Sequence, residues 1–333
     1  MSKLPGHSHL MLIRDLQSIP GSLRRGAVAI GNFDGVHQGH ARIVERLRAM
    51  AAKVGGASIV FTFDPPPAAL LHPYKAPPPL TTVTRKAELL AALGVDAVIV
   101  YPTDLALLKL SPEAFFDEIV MRQLAARALV EGPNFFFGHN RAGTIDVLRR
   151  LSAAADIELE VVEPVLIEGE PVSSSRVRQL IAAGEVATAG RLLTRPYRIE
   201  GTVVKGAGRG TTIGFPTANV AGIETLLPAQ GVYAGRGILR RNDDAAEKAR
   251  GGKLPTAPDE RTWPAAINVG PNPTFGDDAL KVEAHLIGCD ESLYGQSLAV
   301  DFTAKLRDIH PFANIEQLQA QLVRDLEKVK SQK

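Results

Sequence analysis

Cysteine is almost missing from this chain: Cys289 is the only one in 333 residues. That excludes an intramolecular disulfide and any cysteine-rich zinc site, and it fits a reducing compartment. Nowhere do about eighteen apolar residues follow one another without interruption, so no membrane-spanning helix is expected. The opening stretch MSKLPGHSHLMLIRDLQSIP lacks the charged, apolar and small-residue succession of a secretory signal. Excess charge is lacking too. Lys and Arg number 38 against 36 Asp and Glu, a formal balance of +2, and no broad surface for nucleic acid or membrane follows from it. No internal repeat is apparent. A cytoplasmic protein with neither nucleic-acid nor membrane partners is the expectation.

What is present points to two folded domains. The chain is longer than one core usually grows, and 45% hydrophobic with 22% charged residues is ordinary for a globular protein. From residue 27 to about 165, short β-branched runs (27–30, 57–63, 95–101, 127–132 and 157–163) alternate with amphipathic helical stretches. In HARIVERLRAMAAKV, Ile43, Val44, Leu47, Met50, Ala51 and Val54 share one helical face, and in SPEAFFDEIVMRQL Ser111 can cap a helix with Pro112 in its first turn. That alternation predicts a parallel sheet wrapped by helices. Beyond TRPYRIEG (194–201), five β-type segments follow one another without helices, which predicts an antiparallel barrel or sandwich. The polar stretch 240–264 reads as a long surface insertion. In the final segment Asn314 can cap a helix with Gln317 answering, and Ile315, Leu318, Leu322 and Leu326 form one apolar stripe.

The stretch AIGNFDGVHQGH (29–40) places His37 and His40 at the mouth of a helix that is expected to begin near Gly39. The preceding strand ends at Gly31 and the chain turns through Gly35. Backbone donors at such a helix N-terminus, on the carboxyl edge of a parallel sheet, suit phosphate. Two imidazoles three residues apart can face the same anion and stabilise charge that develops during phosphoryl or nucleotidyl transfer. A metal pair would need further ligands at suitable spacing, and none stands nearby. Ordinary surface histidines are the other reading.

GNFDGVHQGH resembles the HxGH motif of the nucleotidyltransferase superfamily, and specifically the flavin adenylyltransferase module of bacterial bifunctional riboflavin kinase/FAD synthetases. A second signature of that superfamily has its counterpart in VSSSRVR (172–178), and GPNFFFGHNRAGT (132–144) resembles the family's loop beside flavin and nucleotide. The resemblance implies a catalytic role for His37, His40 and Arg178. It implies nucleotide or phosphate contacts from Gly31, Asn32, Phe33, Gly39, Ser174 and Ser175, and a flavin contact from Asn134. Two positions depart from the pattern: Pro66 in TFDPPP stands where the family usually has His, and Phe136 stands where a polar or basic residue is common.

The second half carries VVKGAGRGTTIGFPTAN (203–219). Its glycines let backbone amides approach phosphates, yet it is no Walker A loop, since Gly-Lys-Ser/Thr is missing, and no Rossmann fingerprint, since no helix is expected after it. If the segment is extended, Thr217 and Asn219 face the same way and offer oxygen atoms suited to Mg²⁺ beside ATP phosphates. In LKVEAHLI, Glu283 alternates with Val282 and Ala284 and so faces away from the apolar side. The stretch resembles the riboflavin kinase signature GxGRGxxxGFPTAN, and NVGPNPTFG (268–276) and LRDIHPF (306–312) resemble two further loops of that kinase. This second resemblance implies ATP contact at Gly206, Gly208, Arg209 and Gly210, a metal site at Thr217 and Asn219, catalysis by Glu283 and flavin contact at Arg307.

The expected fold is α/β: a Rossmann-like nucleotidyltransferase domain with a parallel sheet over residues 1–190, then an antiparallel β-barrel kinase domain with a terminal helix over 191–333. The resemblance implies phosphorylation of riboflavin to FMN and adenylyl transfer from ATP to FMN, with ATP as co-substrate and Mg²⁺ as cofactor. Two alternatives stand beside it: a kinase whose adenylyltransferase half is weakened through Pro66 and Phe136, and a non-catalytic flavin or nucleotide sensor.

Overall fold

The computed structural model describes residues 10–206, 208–240, 260–272 and 277–332. They pack as two compact units, one of residues 10–77 and 82–172, the other of 78–81 and the described residues from 173 onward.

The first unit runs β1 (Met11–Ile13), β2 (Ala27–Ile30), α1 (Gln38–Val54), β3 (Ser58–Asp64), α2 (Pro67–Leu71), α3 (Val83–Ala92) and β4 (Ala97–Pro102). It continues through α4 (Leu105–Leu108), α5 (Pro112–Phe115), β5 (Ala128–Glu131), α6 (Ile145–Ala154), β6 (Glu158–Val161) and a small hairpin of β7 (Leu166–Ile167) and β8 (Glu170–Pro171). The sheet order is β1-β4-β3-β2-β5-β6, with every neighbouring pair parallel. All five expected strands are there. β1 was missed because three residues are too few to show a period.

Apolar clusters cover both faces of this sheet. On one side Val44, Leu47 and Ala51 of α1 and Leu90 of α3 meet Ala27, Ala29, Val60 and Val98. On the other, Phe115, Phe116, Ile119 and Leu148 meet Val28, Ile30, Ile59 and Phe61. Central strands buried on both faces have no polar side to show, which is why they read as continuous apolar runs. α1 stops at Gly55, whose φ of +66° closes a left-handed cap on the carbonyls of Ala51 and Ala52. Ser111 caps α5 by accepting from the Ala114 N–H at 3.1 Å, as the sequence predicts. The helix then widens into a π-helical stretch over Phe116–Gln123, a departure that apolar spacing does not reveal.

Strand order reverses between β2 and β5, the place where open α/β sheets admit ligands. Here the side chain of Glu131, 3% exposed at the end of β5, accepts the Ile30 N–H at 2.7 Å. Burial pushes its carboxyl well above the usual carboxylate range, opposed by that backbone hydrogen bond.

The second unit opens with α7 (Ser174–Ala182) and α8 (Val186–Leu193), followed by β9 (Tyr197–Val204), α9 (Arg209–Thr212), β10 (Ala218–Ala221), β11 (Gly231–Arg240), β12 (Glu260–Asn272), β13 (Asp277–Leu286), β14 (Ser297–Arg307) and α10 (Ile315–Ser331). Six strands close into an antiparallel barrel in the order β10-β13-β12-β11-β14-β9. Tyr197, Ile199, Tyr233, Ile267, Ala284 and Phe302 are fully buried within this unit. The apolar face of α8 packs on β14 and β9, so the packing groups α7 and α8 with the barrel although the expected boundary lay at 190/191.

Three local expectations change. Residues 260–264 of the expected insertion begin β12 and Arg240 ends β11, while 241–259 lie outside the described residues, as do 273–276 of the NPTFG stretch. A single helical turn, α9, does follow Gly208, although it is too short for a Rossmann helix. In α10 the Asn314 cap forms, accepting from the Gln317 N–H at 2.9 Å. The buried face differs from the expected stripe: Ile315 is 47% exposed, whereas Val329 and Asp325 are buried, Val329 over Ala234 and Ala266. Asp325 is 0% exposed and one of its oxygens accepts from Arg307 Nε and Nη2 at 2.9 Å each, with Gln321 donating to its other oxygen at 2.8 Å.

Two outcomes are expected. Above the unfolded-state pKa of about 4.3 an unfolded chain releases the Glu131 proton that the folded chain keeps, so stability declines as pH rises towards the raised folded value. Glu131→Gln removes that decline, and denaturation midpoints are expected to favour the variant at about pH 8 and not at about pH 4. Asp325→Ala strands the Arg307 guanidinium and is expected to cost the barrel unit about 3–5 kcal/mol, read as a lowered denaturant midpoint of that unit.

Candidate active sites

In the first unit the site grows from the end of β2. Gly31 leaves the sheet, and Phe33, Gly35 and Val36 adopt left-handed φ values of 47°, 80° and 41°. Such values are uncommon for Phe and Val and mark a turn held in place by its surroundings. The turn delivers His37 as the N-cap of α1, so the helix begins at Gln38, one residue before the expected Gly39. His37 Nδ1 accepts the His40 N–H at 3.4 Å, so in a neutral ring the proton sits on Nε2. The two imidazoles stack with centroids 3.7 Å apart and planes 16° from parallel, and the buried Phe33 ring stands 5.0 Å from His40. A Cβ on Gly39 would lie 3.1 Å from the His37 ring, so glycine here leaves the stacked imidazole its place.

The structure therefore brings Gly31, Asn32, Phe33, His37, Gly39 and His40 together at the carboxyl edge of β2. Asn134 lies on the exposed turn after β5, the neighbouring strand. In the same loop Phe136 is 42% exposed, with the Arg141 guanidinium 4.4 Å above its ring. Pro66 precedes α2 as its N-cap. Ser174, Ser175 and Arg178 stand on α7, which belongs to the second unit. There Ser173 caps the helix through the Arg176 N–H at 3.2 Å, and Arg178 Nε donates to the Pro78 carbonyl at 3.2 Å. Glu131 was missed by the sequence reading; the signal available was a carboxylate closing an otherwise apolar strand.

In the second unit the site lies on the outer face of the barrel. Val282, Ala284 and Leu286 are buried, so Lys281, Glu283 and His285 point the other way along β13. Strand register sets Asn219 opposite Glu283, Glu283 opposite Asn268, Asn268 opposite Val232, and Val232 opposite Arg307. Directly opposed residues share a face, so these five form one row across five strands. All five line a cavity of about 160 Å³ that is also walled by α10. Asn268 is a member of this row that sequence reasoning missed, although its alternation with Ile267 and Val269 was visible.

Thr217 and Gly206, Gly208 and Gly210 line the same cavity. A Cβ on Gly206 would fall 2.3 Å from Asn219 Nδ2, so only glycine lets the loop lie against that amide. Gly208 has φ +70° and opens α9, which contains Arg209 and Gly210; the Arg209 side chain lies outside the described residues. His285 lines the cavity with Nδ1 2.7 Å from the Pro216 carbonyl, which anchors the strand entry at β10. Arg307 donates to Asp325 and, at 3.2 Å, to the Asp308 carbonyl, with Phe312 5.6 Å from its guanidinium carbon. It is thus the tie between the strand row and α10. Among the described residues no three His, Cys, Asp or Glu side chains gather to hold a metal, and no helix is long and apolar enough to cross a membrane.

A family model described as FAD synthetase matches residues 20–176, and one described as riboflavin kinase matches 193–332. The bifunctional riboflavin kinase/FMN adenylyltransferase of Pseudomonas fluorescens is 34% identical over 318 residues, 95% of this chain and 96% of its own. The protein so named in Escherichia coli K12 is 32% identical over 317 residues, 95% of this chain and 96% of its own. A crystal structure described as a macrolide-efflux protein from Streptococcus pneumoniae superposes with a TM-score of 0.81 at 28% identity, covering 97% of this chain and 99% of that one. With a parallel-sheet unit followed by a barrel unit, and similarity running through both, the chain belongs to the bifunctional riboflavin kinase/FMN adenylyltransferase family.

Proposed function

We propose that this chain phosphorylates riboflavin to FMN in its barrel half and transfers an adenylyl group from ATP to FMN in its parallel-sheet half, giving FAD and pyrophosphate. The observation that carries the reading is that one polypeptide matches both families, His37 and His40 lying in the FAD synthetase match and Glu283 in the riboflavin kinase match, and aligns along nearly the whole length of a bifunctional relative. We assign residues 1–190 to adenylyl transfer and 191–333 to the kinase, in the cytoplasm.

In the kinase step Glu283 accepts the proton of the ribityl 5′-hydroxyl as its oxygen attacks the γ-phosphorus of ATP, while the bond to the β-phosphate oxygen breaks and ADP leaves. Gly206, Gly208, Arg209 and Gly210 receive the phosphates with backbone amides, and Arg307, fixed by Asp325, bounds the flavin. Thr217 and Asn219 fit Mg²⁺. Both offer neutral oxygen atoms on the cavity wall, and the glycine cradle against Asn219 leaves room that a Cβ would fill. A site with so few protein ligands suits an ion that keeps waters and phosphate oxygens around it. When bound, Mg²⁺ supplies charge neutralisation to the ATP phosphates.

In the adenylyl step an FMN phosphate oxygen attacks the α-phosphorus of ATP and pyrophosphate leaves. The nucleophile is already anionic, so no general base is needed. His37, His40 and Arg178 stabilise the charge that builds on the transferring and leaving phosphates, and Gly31, Asn32, Phe33, Gly39, Ser174 and Ser175 position the nucleotide. Asn134 contacts the flavin. The Phe136 and Arg141 pair offers an exposed aromatic and cationic surface on the Asn134 loop, so the departure at Phe136 does not empty that edge of polar character.

The test separates the halves. Glu283→Ala is expected to lower FMN formation by about 10²–10⁴-fold while adenylation of supplied FMN stays at the wild-type rate. His40→Ala is expected to leave riboflavin phosphorylation intact and to lower FAD formation by about 10²–10³-fold. Chromatography of the flavins checks both. Wild-type FAD output from His40→Ala, or wild-type FMN output from Glu283→Ala, would contradict the assignment.

A further inference from the structure

Beneath the left-handed turn of the first unit lies a cation that no part of the proposed chemistry uses. Lys86 sits on α3 among Ala87, Leu89 and Leu90, and it is only 4% exposed. Its Nζ donates to Thr62 Oγ1 at 3.3 Å, and that hydroxyl donates to the Asn32 carbonyl at 3.2 Å. Thr62 is completely buried on β3, the strand beside β2. The chain of donors therefore runs from α3 through the sheet to the first peptide of the turn that carries Phe33 and Val36 into the left-handed region.

A buried ammonium gives up its hydration, a loss that stands unless nearby groups answer it. Burial pulls the Lys86 ammonium below the usual lysine range, and the charges of Asp34 and Asp64 oppose that shift. Asp34 belongs to the turn itself and is 7% exposed, and Asp64 ends β3. Both carboxylates stand at the carboxyl edge of the sheet, where two anionic substrates have to meet. Asp64 is also met by an Arg14 guanidinium nitrogen at 3.4 Å, and without such cations the two carboxylates would repel the phosphates that the helix mouth attracts.

We propose that Lys86 is a positioning residue for adenylyl transfer: through Thr62 it holds the Asn32 carbonyl, and with it the turn that presents His37 and His40, while its charge offsets Asp34 and Asp64 beside the phosphate site. This rests on the adenylyltransferase reading of the first unit.

The experiment measures kcat and KM for adenylation of supplied FMN, with the riboflavin kinase rate of the same preparation as an internal control. Lys86→Met is expected to lower kcat for FAD formation by about 10–100-fold, the scale of a misplacement near 1 Å, with an unchanged kinase rate. Thr62→Val is expected to lower kcat in the same direction, and Thr62→Ser, which keeps the hydroxyl, to restore much of it. Should Lys86→Met lose both activities, the contrast between Thr62→Val and Thr62→Ser decides. Wild-type kcat in Lys86→Met, or equal rates in the two Thr62 variants, would overturn the proposal. A wild-type chain that makes FMN but no FAD would instead overturn the reading beneath it.

Discussion

A transferring phosphate can be stabilised only where fixed donors reach it with little water between, and that requirement decides where backbone must go before it decides any side chain. On the adenylyl-transfer reading, the first unit meets that requirement where strand order reverses. Glu131 ties the end of β2 to the end of β5 through the Ile30 N–H, and the turn that starts at the next residue swings the chain into α1. The helix N-terminus, the stacked imidazoles and Asn134 then share one sheet edge because two neighbouring parallel strands end there.

The barrel meets the same requirement differently. On the kinase reading, the single turn α9, a glycine loop whose backbone lies against Asn219 and a row of side chains set by strand register take the place of a long helix N-terminus. Register is a strong device for this purpose, because a slip by one residue would turn the whole row inward. The row ends at Arg307, and its pairing with the fully buried Asp325 joins barrel to terminal helix. The small side chains Ala234 and Ala266 beneath Val329 let that helix approach.

Much of this was legible in the sequence, for particular reasons. The strand at 27–30 is apolar throughout and that at 57–63 is apolar but for Ser58 and Thr62 because both their faces are covered, and the caps at Ser111 and Asn314 show because capping oxygens precede helical periods. The phosphate motifs stood out through their resemblance to known signatures in the expected order, since the same residues taken singly also fit surface histidines, a capped helix and a turn. What stayed hidden was the buried titratable groups. Lys86, Glu131 and Asp325 each interrupt an apolar face, and periodicity alone assigns such residues to solvent. For Asp325 this also shifted the stripe of α10, since Ile315 was counted inside and is exposed. The three-residue β1 and the π-helical stretch after α5 escaped because tertiary packing, not local pattern, defines them.

The pairing of two independent sites in one chain is the central claim, and the most direct measurement is a time course of flavin products from the wild-type protein with ATP and Mg²⁺, started in parallel from riboflavin and from FMN. The account predicts FMN followed by FAD in the first reaction and FAD alone in the second. Accumulation of FMN with no FAD in either reaction would contradict it, as would the absence of any product.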